Sequence, residues 1–225
     1  SIISHDIKNP LNSLMGFLDL IIFRIDEMDK ESIKSKIEYS YKAGMKLMSL
    51  LENLLHWSRS QTGVIRCMPE YNNLTGIIDN VVELLKSNIN QKSIFIEINV
   101  NNSISGYFDR NLIETILRNL VSNAIKFTPI NGLIHIYTRP EDEDMISICI
   151  EDNGLGIPKD IQKNLFKLEE KISLPGTEGE EGTGLGLLLS KEFIEKNNGE
   201  ISFISEEKKG TTFTIKVHKT AESFN

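Results

Sequence analysis

The chain is short of several things, and each shortage excludes a class. Cysteine occurs only twice in 225 residues, as Cys67 and Cys149. That pair matches no zinc spacing and builds no disulfide framework, so a reducing, cytoplasmic setting is expected. No run of eighteen apolar residues occurs, which excludes a helical membrane span and membrane contact within this stretch. No signal peptide opens the sequence. The first residue stands four positions before His5, so an upstream part, able to carry a membrane anchor, is expected. Basic residues number 25 against 32 acidic, and the net charge of −7 argues against a nucleic-acid partner. No Gly-Lys-Ser/Thr tripeptide occurs, so no P-loop is present. No internal repeat is visible.

What remains is an ordinary globular composition, 40% apolar and 25% charged, long enough for one large or two small domains. The charge is divided unevenly. Residues 1–62 hold eight of the basic and eight of the acidic residues, so all of the −7 falls on residues 63–225. An acidic domain that binds a polyanion needs a local cluster of donors.

The periodicity predicts a helix over residues 1–26, with apolar Leu11, Leu14, Leu18, Ile21, Ile22 and Ile25 at helical spacing. Pro10 lies inside it and predicts a kink just after the first turns. Residues 26–32 read as a charged turn, with Ser32 as the N-cap of a second helix over 33–62. There Ile33, Ile37, Tyr41, Gly44, Met48, Leu51 and Leu55 approach a heptad seam. Two such helices form an antiparallel hairpin with more apolar surface than it can cover alone. A second copy would complete a four-helix bundle, so a homodimer is expected. The competing arrangement is that the second domain covers the hairpin.

Thr62, Gly63 and Pro69 mark a change of domain. The boundaries expected are a hairpin over 1–64, a linker over 65–70 and a second domain over 71–220. In that domain Leu74 to Leu85, Asp109 to Phe127 and residues 185–197 read as helices, the second capped by Asp109 and the third stopped by Asn198-Gly199. Strands are expected over Ile94 to Val100, Leu133 to Thr138, Met145 to Glu151, Glu200 to Ser205 and Thr211 to Val217. This mixture of helices and mostly antiparallel strands predicts a two-layer α/β sandwich.

Four segments carry chemistry. Ser4-His5-Asp6-Ile7-Lys8-Asn9-Pro10 places His5 and Asn9 on one helix face. A neutral imidazole can attack an electrophilic phosphorus, and Asp6 can orient the ring or take its proton. An ordinary exposed histidine fits this heptapeptide as well. In the helix over 109–127, Asn119, Asn123, Lys126 and Phe127 share a face. Their amide oxygens suit Mg²⁺, the ammonium suits phosphate and the ring suits a base, although a merely polar face with Phe127 in the core fits equally. Glu151-Asp152-Asn153-Gly154-Leu155-Gly156 contains the Asn-Gly of a hairpin turn, but Ile161 to Leu168 looks helical rather than strand-like. A strand-end carboxylate backed by glycines can instead read an adenine amino group. Finally, Gly182-Thr183-Gly184-Leu185-Gly186 leads into a helix whose first N–H groups would face an anion. Lys171 to Glu181, ahead of it, reads as a mobile lid.

In this order the segments resemble the ATP-binding domain of the sensor histidine kinases of two-component systems, within the GHKL (Bergerat-fold) ATPases. The His5-Asp6-Ile7-Lys8-Asn9-Pro10-Leu11 stretch is similar to their phospho-acceptor box. The resemblance covers nearly the whole chain. It implies a dimeric helical hairpin followed by a Bergerat-fold sandwich, with ATP and Mg²⁺ bound and a response-regulator receiver domain as partner. It implies that His5 is phosphorylated with Asp6 as its acid/base neighbour, and that Asn9 positions water for a phosphatase activity. It implies Asn123 as the Mg²⁺ ligand beside Asn119, Lys126 on phosphate, Phe127 over adenine and Asp152 reading adenine above Gly154 and Gly156. Gly182, Thr183, Gly184, Leu185 and Gly186 resemble the phosphate-side loop, and Gly210-Thr211-Thr212-Phe213 the last box. The lid departs from the pattern: Glu169 and Glu170 stand where aromatics are usual, and Lys171 where an arginine is. Two alternatives stand beside a kinase: a GHKL nucleotide-binding dimerisation module without phosphotransfer, and an ATPase of the topoisomerase or chaperone kind, which lacks the His-Asp hairpin.

Overall fold

The computed structural model describes residues 2–61, 66–101, 104–140, 144–167, 174–180, 182 and 184–224; for residues 2–6, 53, 56, 57, 59–61 and 140 it describes the backbone only. The chain divides into two compact units, Ser1–Gln61 and Thr62–Asn225.

The first unit is a helical hairpin. Helix α1 (Ile2–Arg24) runs through Pro10, a short 3₁₀ turn follows at Ile25–Glu27, and α2 (Lys30–Gln61) returns. The second helix starts earlier than the serine signal predicts. The Asp29 carboxylate accepts the Ser32 N–H at 2.7 Å, so Asp29 is the cap and Ser32 already lies in the first turn. An aspartate three residues ahead of a serine competes for the same role, and here it takes it. The helices pack on each other, with Phe17 stacked on Tyr39 at 5.3 Å between ring centroids. Even so, Leu11, Met15, Leu18, Ile22 and Phe23 on α1 stay exposed, as do Ile37, Tyr41, Met48 and Leu55 on α2. Among the described side chains of the hairpin only Pro10, Ser40 and Leu50 are buried.

The second unit is a mixed seven-stranded sheet with helices. Its elements are β1 (Glu70–Asn73), α3 (Leu74–Leu84), α4 (Lys86–Gln91), β2 (Phe95–Asn99), β3 (Ser105–Phe108), α5 (Arg110–Phe127), β4 (Leu133–Pro140), β5 (Met145–Asp152), α6 (Lys159–Gln162), α7 (Gly186–Lys196), β6 (Glu200–Glu206), β7 (Gly210–His218) and α8 (Ala221–Phe224). Strand order is β1-β3-β7-β5-β4-β2, with β6 also on β7. Among the described residues only β2 and β4 run parallel, and the other pairs are antiparallel. Ile134 and Ile136 on β4, Ile148 on β5 and Ile215 and Val217 on β7 are wholly buried. On β4 they alternate with exposed or half-buried neighbours, whereas the central β5 is buried continuously from Ile146 to Ile150, as a strand covered on both faces requires. Helix α5 packs on α3, α7 and β5. Its apolar residues Leu112, Ile113, Ile116, Leu117, Leu120, Val121, Ala124 and Ile125 all lie inside, which leaves its other face for chemistry.

Several boundaries differ from the sequence reading. Strands β1 and β3 and helices α4 and α8 are additional elements; they are short and lack a sustained period. The helical stretch expected over Ile161 to Leu168 is a single turn, α6, that ends at Gln162. The cap at Asp109 is as expected: one carboxylate oxygen accepts the N–H groups of Asn111 and Leu112 at 2.9 and 3.1 Å. The stop at Asn198-Gly199 also holds, with Asn198 at φ 52° and the Gly199 N–H on the Ile194 carbonyl at 2.9 Å.

The β6–β7 turn requires one glycine. Gly210 has φ 117° and presses its α-carbon against the Asp152 carbonyl, where a methyl group would collide. Gly210→Ala is expected to cost about 2 kcal/mol or more of stability, read as a lowered urea midpoint. Ile204→Ala, at a side chain 80% exposed on the same hairpin, is expected to change stability by about 0.5 kcal/mol or less.

Candidate functional site

The site is built around the C-terminal half of α5. With its apolar face against the core, the half-buried Asn119, Asn123, Lys126 and Phe127 lie on the face left open. The Asn119 amide donates to the Gly186 carbonyl at 3.3 Å and to the Ser190 hydroxyl at 3.5 Å, tying α5 to the first turn of α7. Its oxygen is thereby left for another partner. Among the described residues the Asn123 side chain has no hydrogen-bond partner. Two amide oxygens one turn apart suit a hard divalent cation that brings further oxygen ligands with it. Among the described residues no three His, Cys, Asp or Glu side chains cluster to hold a metal by themselves. The donor set therefore fits a cation carried in with an anionic ligand.

Lys126 is half-buried. Its ammonium donates to the Leu174 carbonyl at 2.6 Å and lies 4.6 Å from the centre of the Phe127 ring. Burial pushes its pKa below the usual lysine value, opposed by the charge of Glu180. The loop expected to be a free lid is therefore attached over its described part. Thr177 donates its N–H to the Lys126 carbonyl at 3.1 Å and its hydroxyl to the Thr128 carbonyl at 2.9 Å.

Asp152 closes the central strand β5, opposite Thr211 of β7 and Ile134 of β4. It is only 7% exposed. One carboxylate oxygen accepts the N–H of Gly154 at 2.9 Å and of Thr211 at 3.2 Å. Burial raises its pKa to about 6; those two hydrogen bonds pull the other way, and the neighbouring charge of Glu151 adds to the rise. The second oxygen keeps its acceptor capacity. Asn153-Gly154 is not a hairpin turn. The Asp152 carboxylate folds the chain back on itself, and the Leu155 N–H reaches the Phe127 carbonyl at 3.1 Å. Gly154 sits so close to that carbonyl that a β-carbon has no room. Gly156 lies against the Glu206 carbonyl. The Ile157 N–H, bound to the Ser205 hydroxyl at 2.8 Å, fastens this turn to the β6–β7 hairpin.

Asn119 thus contacts Gly186, and Phe127 contacts both Lys126 and Gly154, which Asp152 holds; Asn123 lies between Asn119 and Lys126 on α5, and Gly156 lies against the β6–β7 turn. Gly182 and Leu185 are half-buried and Gly184 exposed in the segment that enters α7. Lys171 and Thr183 lie outside the described residues, as do Glu169 and Glu170. His5, Asp6 and Asn9 lie on α1 in the other unit; the side chains of His5 and Asp6 are outside the description, and Asn9 is exposed.

Sequence reasoning passed over Lys92, Thr177 and Glu180. Lys92 is only 5% exposed. Its ammonium donates to the carbonyls of Ile125 at 2.8 Å and Lys126 at 3.1 Å, the Thr177 hydroxyl at 2.6 Å and the Glu180 carboxylate at 3.0 Å. Burial opposes ionisation of Glu180, but the Lys92 hydrogen bond, backbone N–H groups and the Lys92 charge bring its pKa below the usual value. In sequence these are one lysine in a polar turn and one acid in an acid-rich stretch, 88 residues apart.

Comparison with known proteins identifies the family. The profile of the histidine kinase-, DNA gyrase B- and HSP90-like ATPase family matches residues 108–221. That of the His Kinase A (phospho-acceptor) domain matches residues 1–63. The histidine protein kinase SaeS of Staphylococcus aureus (strain USA300) is 30% identical over 219 residues, which is 96% of this chain and 62% of SaeS. The chain thus spans less than two thirds of that relative. The histidine kinase AdeS of Acinetobacter baumannii superposes with a TM-score of 0.75 at 25% identity, over 96% of this chain and 98% of that one. The catalytic domain of the histidine kinase ThkA superposes at 0.60 and 26% identity, over 69% of this chain and 99% of its own. ThkA in complex with the response regulator TrrA, at 23% identity and a TM-score of 0.77, shows the same fold over 97% of this chain and 60% of that one. The chain belongs to the histidine kinase-, DNA gyrase B- and HSP90-like ATPase family and, by the phospho-acceptor domain that precedes the ATPase unit, to its sensor histidine kinases.

Proposed function

We propose that this chain is the core of an ATP-dependent protein-histidine kinase. It would autophosphorylate His5 and pass the phosphoryl group to an aspartate of a response-regulator receiver domain. Residues 1–64 would be the dimerisation and phospho-acceptor hairpin, 65–70 a linker and 71–220 the ATP-binding domain. One observation carries the reading. A single helix, α5, touches the Asp152 turn through Phe127, the loop before α7 through Lys126, and α7 itself through Asn119. A purine with a polyphosphate needs that combination: an acceptor for its amino group, glycines that let a flat ring approach, and donors along the phosphates.

Phosphoryl transfer asks the protein mainly for positioning and charge neutralisation. Asp152 accepts the adenine amino group through its second oxygen, with Gly154 and Gly156 beneath the base and Phe127 over it. Lys126 exchanges the Leu174 carbonyl for phosphate oxygens. Segment 182–186 offers backbone N–H groups, and Lys171 is the further cation of this loop. Asn123, with Asn119 beside it, would hold Mg²⁺, which would neutralise phosphate charge when bound. A ring nitrogen of His5 forms a bond to the γ-phosphorus as the bond to the β–γ bridging oxygen breaks, and ADP leaves. Asp6 takes the ring proton. The phosphorus–nitrogen bond is then broken by attack of a receiver carboxylate, which forms an acyl phosphate and frees the imidazole, and Asn9 places water to hydrolyse that acyl phosphate in the phosphatase activity. Exposed apolar rows on both hairpin helices favour a second copy of this chain as their cover.

Three outcomes are expected. His5→Ala abolishes incorporation of label from γ-labelled ATP; continued labelling of that variant removes His5 from the reaction. Sedimentation at micromolar concentration shows a dimer, and a monomer alone would speak against the four-helix bundle. The third concerns pH. Because the Asp152 carboxyl titrates near 6 when folded and lower when unfolded, folding favours its protonated form, and its burial costs stability as pH rises from about 4 to 6. Nucleotide binding follows the opposite sign, since the ionised acceptor is the one that reads the base. ATP affinity is expected to weaken about tenfold between pH 7.5 and 5. Asp152→Asn binds more weakly throughout and lacks that step; titration calorimetry of both proteins separates it from the nucleotide's own titration.

A further inference from the structure

We propose that Lys92, Glu180 and Thr177 form a latch that fixes the far end of the nucleotide loop to the carbonyl end of α5, and that this latch positions the loop for ATP. The proposal rests on the nucleotide-site reading above and names positioning residues for it. Besides the Thr177 N–H and hydroxyl on the Lys126 and Thr128 carbonyls, two lysine ammoniums hold the loop segment 174–180 in different ways. At Leu174 it is held by the Lys126 ammonium, the same group that the phosphates need. At Thr177 and Glu180 it is held by Lys92, whose ammonium reaches the Ile125 and Lys126 carbonyls as well. A cation there also meets the negative end of the helix dipole. Nucleotide competes for the first attachment and leaves the second alone.

The segment is built as one piece around that second point. Its turn is closed by the Gly176 N–H on the Glu180 carbonyl at 2.8 Å, the Gly179 N–H on the Gly176 carbonyl at 3.1 Å and the Glu178 N–H on the Glu180 carboxylate at 2.8 Å. Lys92 is held through its main chain too, its carbonyl accepting the Asn131 N–H at 2.9 Å. When Lys126 turns to phosphate, the Leu174 end is released while the Glu180 end stays in register with Asn123 and Lys126. A loop held at one end reaches its bound position with less lost freedom than one held at neither.

Lys92→Met leaves the half-buried Glu180 carboxylate and two carbonyls without their cation and can fail to fold. The test therefore uses Glu180→Gln and Thr177→Val, with Thr177→Ser as the variant that keeps the hydroxyl. Two measurements are made on the 225-residue chain: amide hydrogen exchange over 174–180 without nucleotide, and KM for ATP against kcat for His5 labelling. Faster exchange in 174–180 with α5 unchanged is expected for Glu180→Gln and Thr177→Val. Their KM is expected to rise roughly three- to tenfold, with kcat changed less than twofold and Thr177→Ser close to the parent. Unchanged exchange and KM in both variants overturn the latch. A lowered melting temperature with unchanged KM also overturns it, leaving a purely structural contact. A parent chain that takes up no ATP overturns the site reading instead, and the exchange result shows separately whether the loop is fastened there.

Discussion

Helix α5 can bury only one face, and the second unit is arranged around that constraint. Its leucines and isoleucines occupy the core against α3, α7 and β5, so the amide, ammonium and ring face can only lie at the surface the sheet leaves open. The end of β5 then meets the end of α5. The Leu155 N–H on the Phe127 carbonyl joins them, and the crowding at Gly154 allows no side chain between. Rotating α5 by a residue would place Asn123 in the core and an isoleucine in the site, and burial of a polar amide without a partner costs several kcal/mol.

Charge is handled locally in a unit that is acidic overall. The two cations that matter, Lys92 and Lys126, both sit at the carbonyl end of α5, where the helix dipole favours them. They differ in what surrounds them. Lys92 is enclosed by four acceptors, while Lys126 shares a single carbonyl and a ring face. The first is a fixed piece of structure and the second is exchangeable. Asp152 is the counterpart on the other side: a buried acid kept partly ionised by two backbone N–H groups, ready to accept one more donor.

Much of this was legible in the chain itself, for reasons that are local. The long apolar-periodic runs of α1, α2 and α5 repeat often enough to outweigh irregularities, and the Asp109 cap acts within three residues of itself. The chemical segments are short and self-contained, so their order along the chain was enough to suggest the family. Shorter elements escaped. Strands β1 and β3 span four residues each and exist because β7 and each other offer hydrogen bonds, not because of their own pattern. The start of α2 at Asp29 rather than Ser32 was a competition between two capping residues that only the folded backbone resolves.

The sequence by itself determined which of the longer segments are helix or strand, which of their faces are apolar and which residues could meet a nucleotide, since all of these follow from periods of two and 3.6 and from side-chain chemistry. Tertiary structure alone decided that Thr211 supports Asp152 across a strand pairing, that Asn119 ties two helices, and that an inconspicuous lysine at position 92 gathers the end of α5 and an acid-rich loop. Those partners stand 33 to 88 residues apart. Each side chain satisfies its hydrogen-bonding needs with whatever the packed core brings within 3 Å or so, and no local pattern encodes that choice.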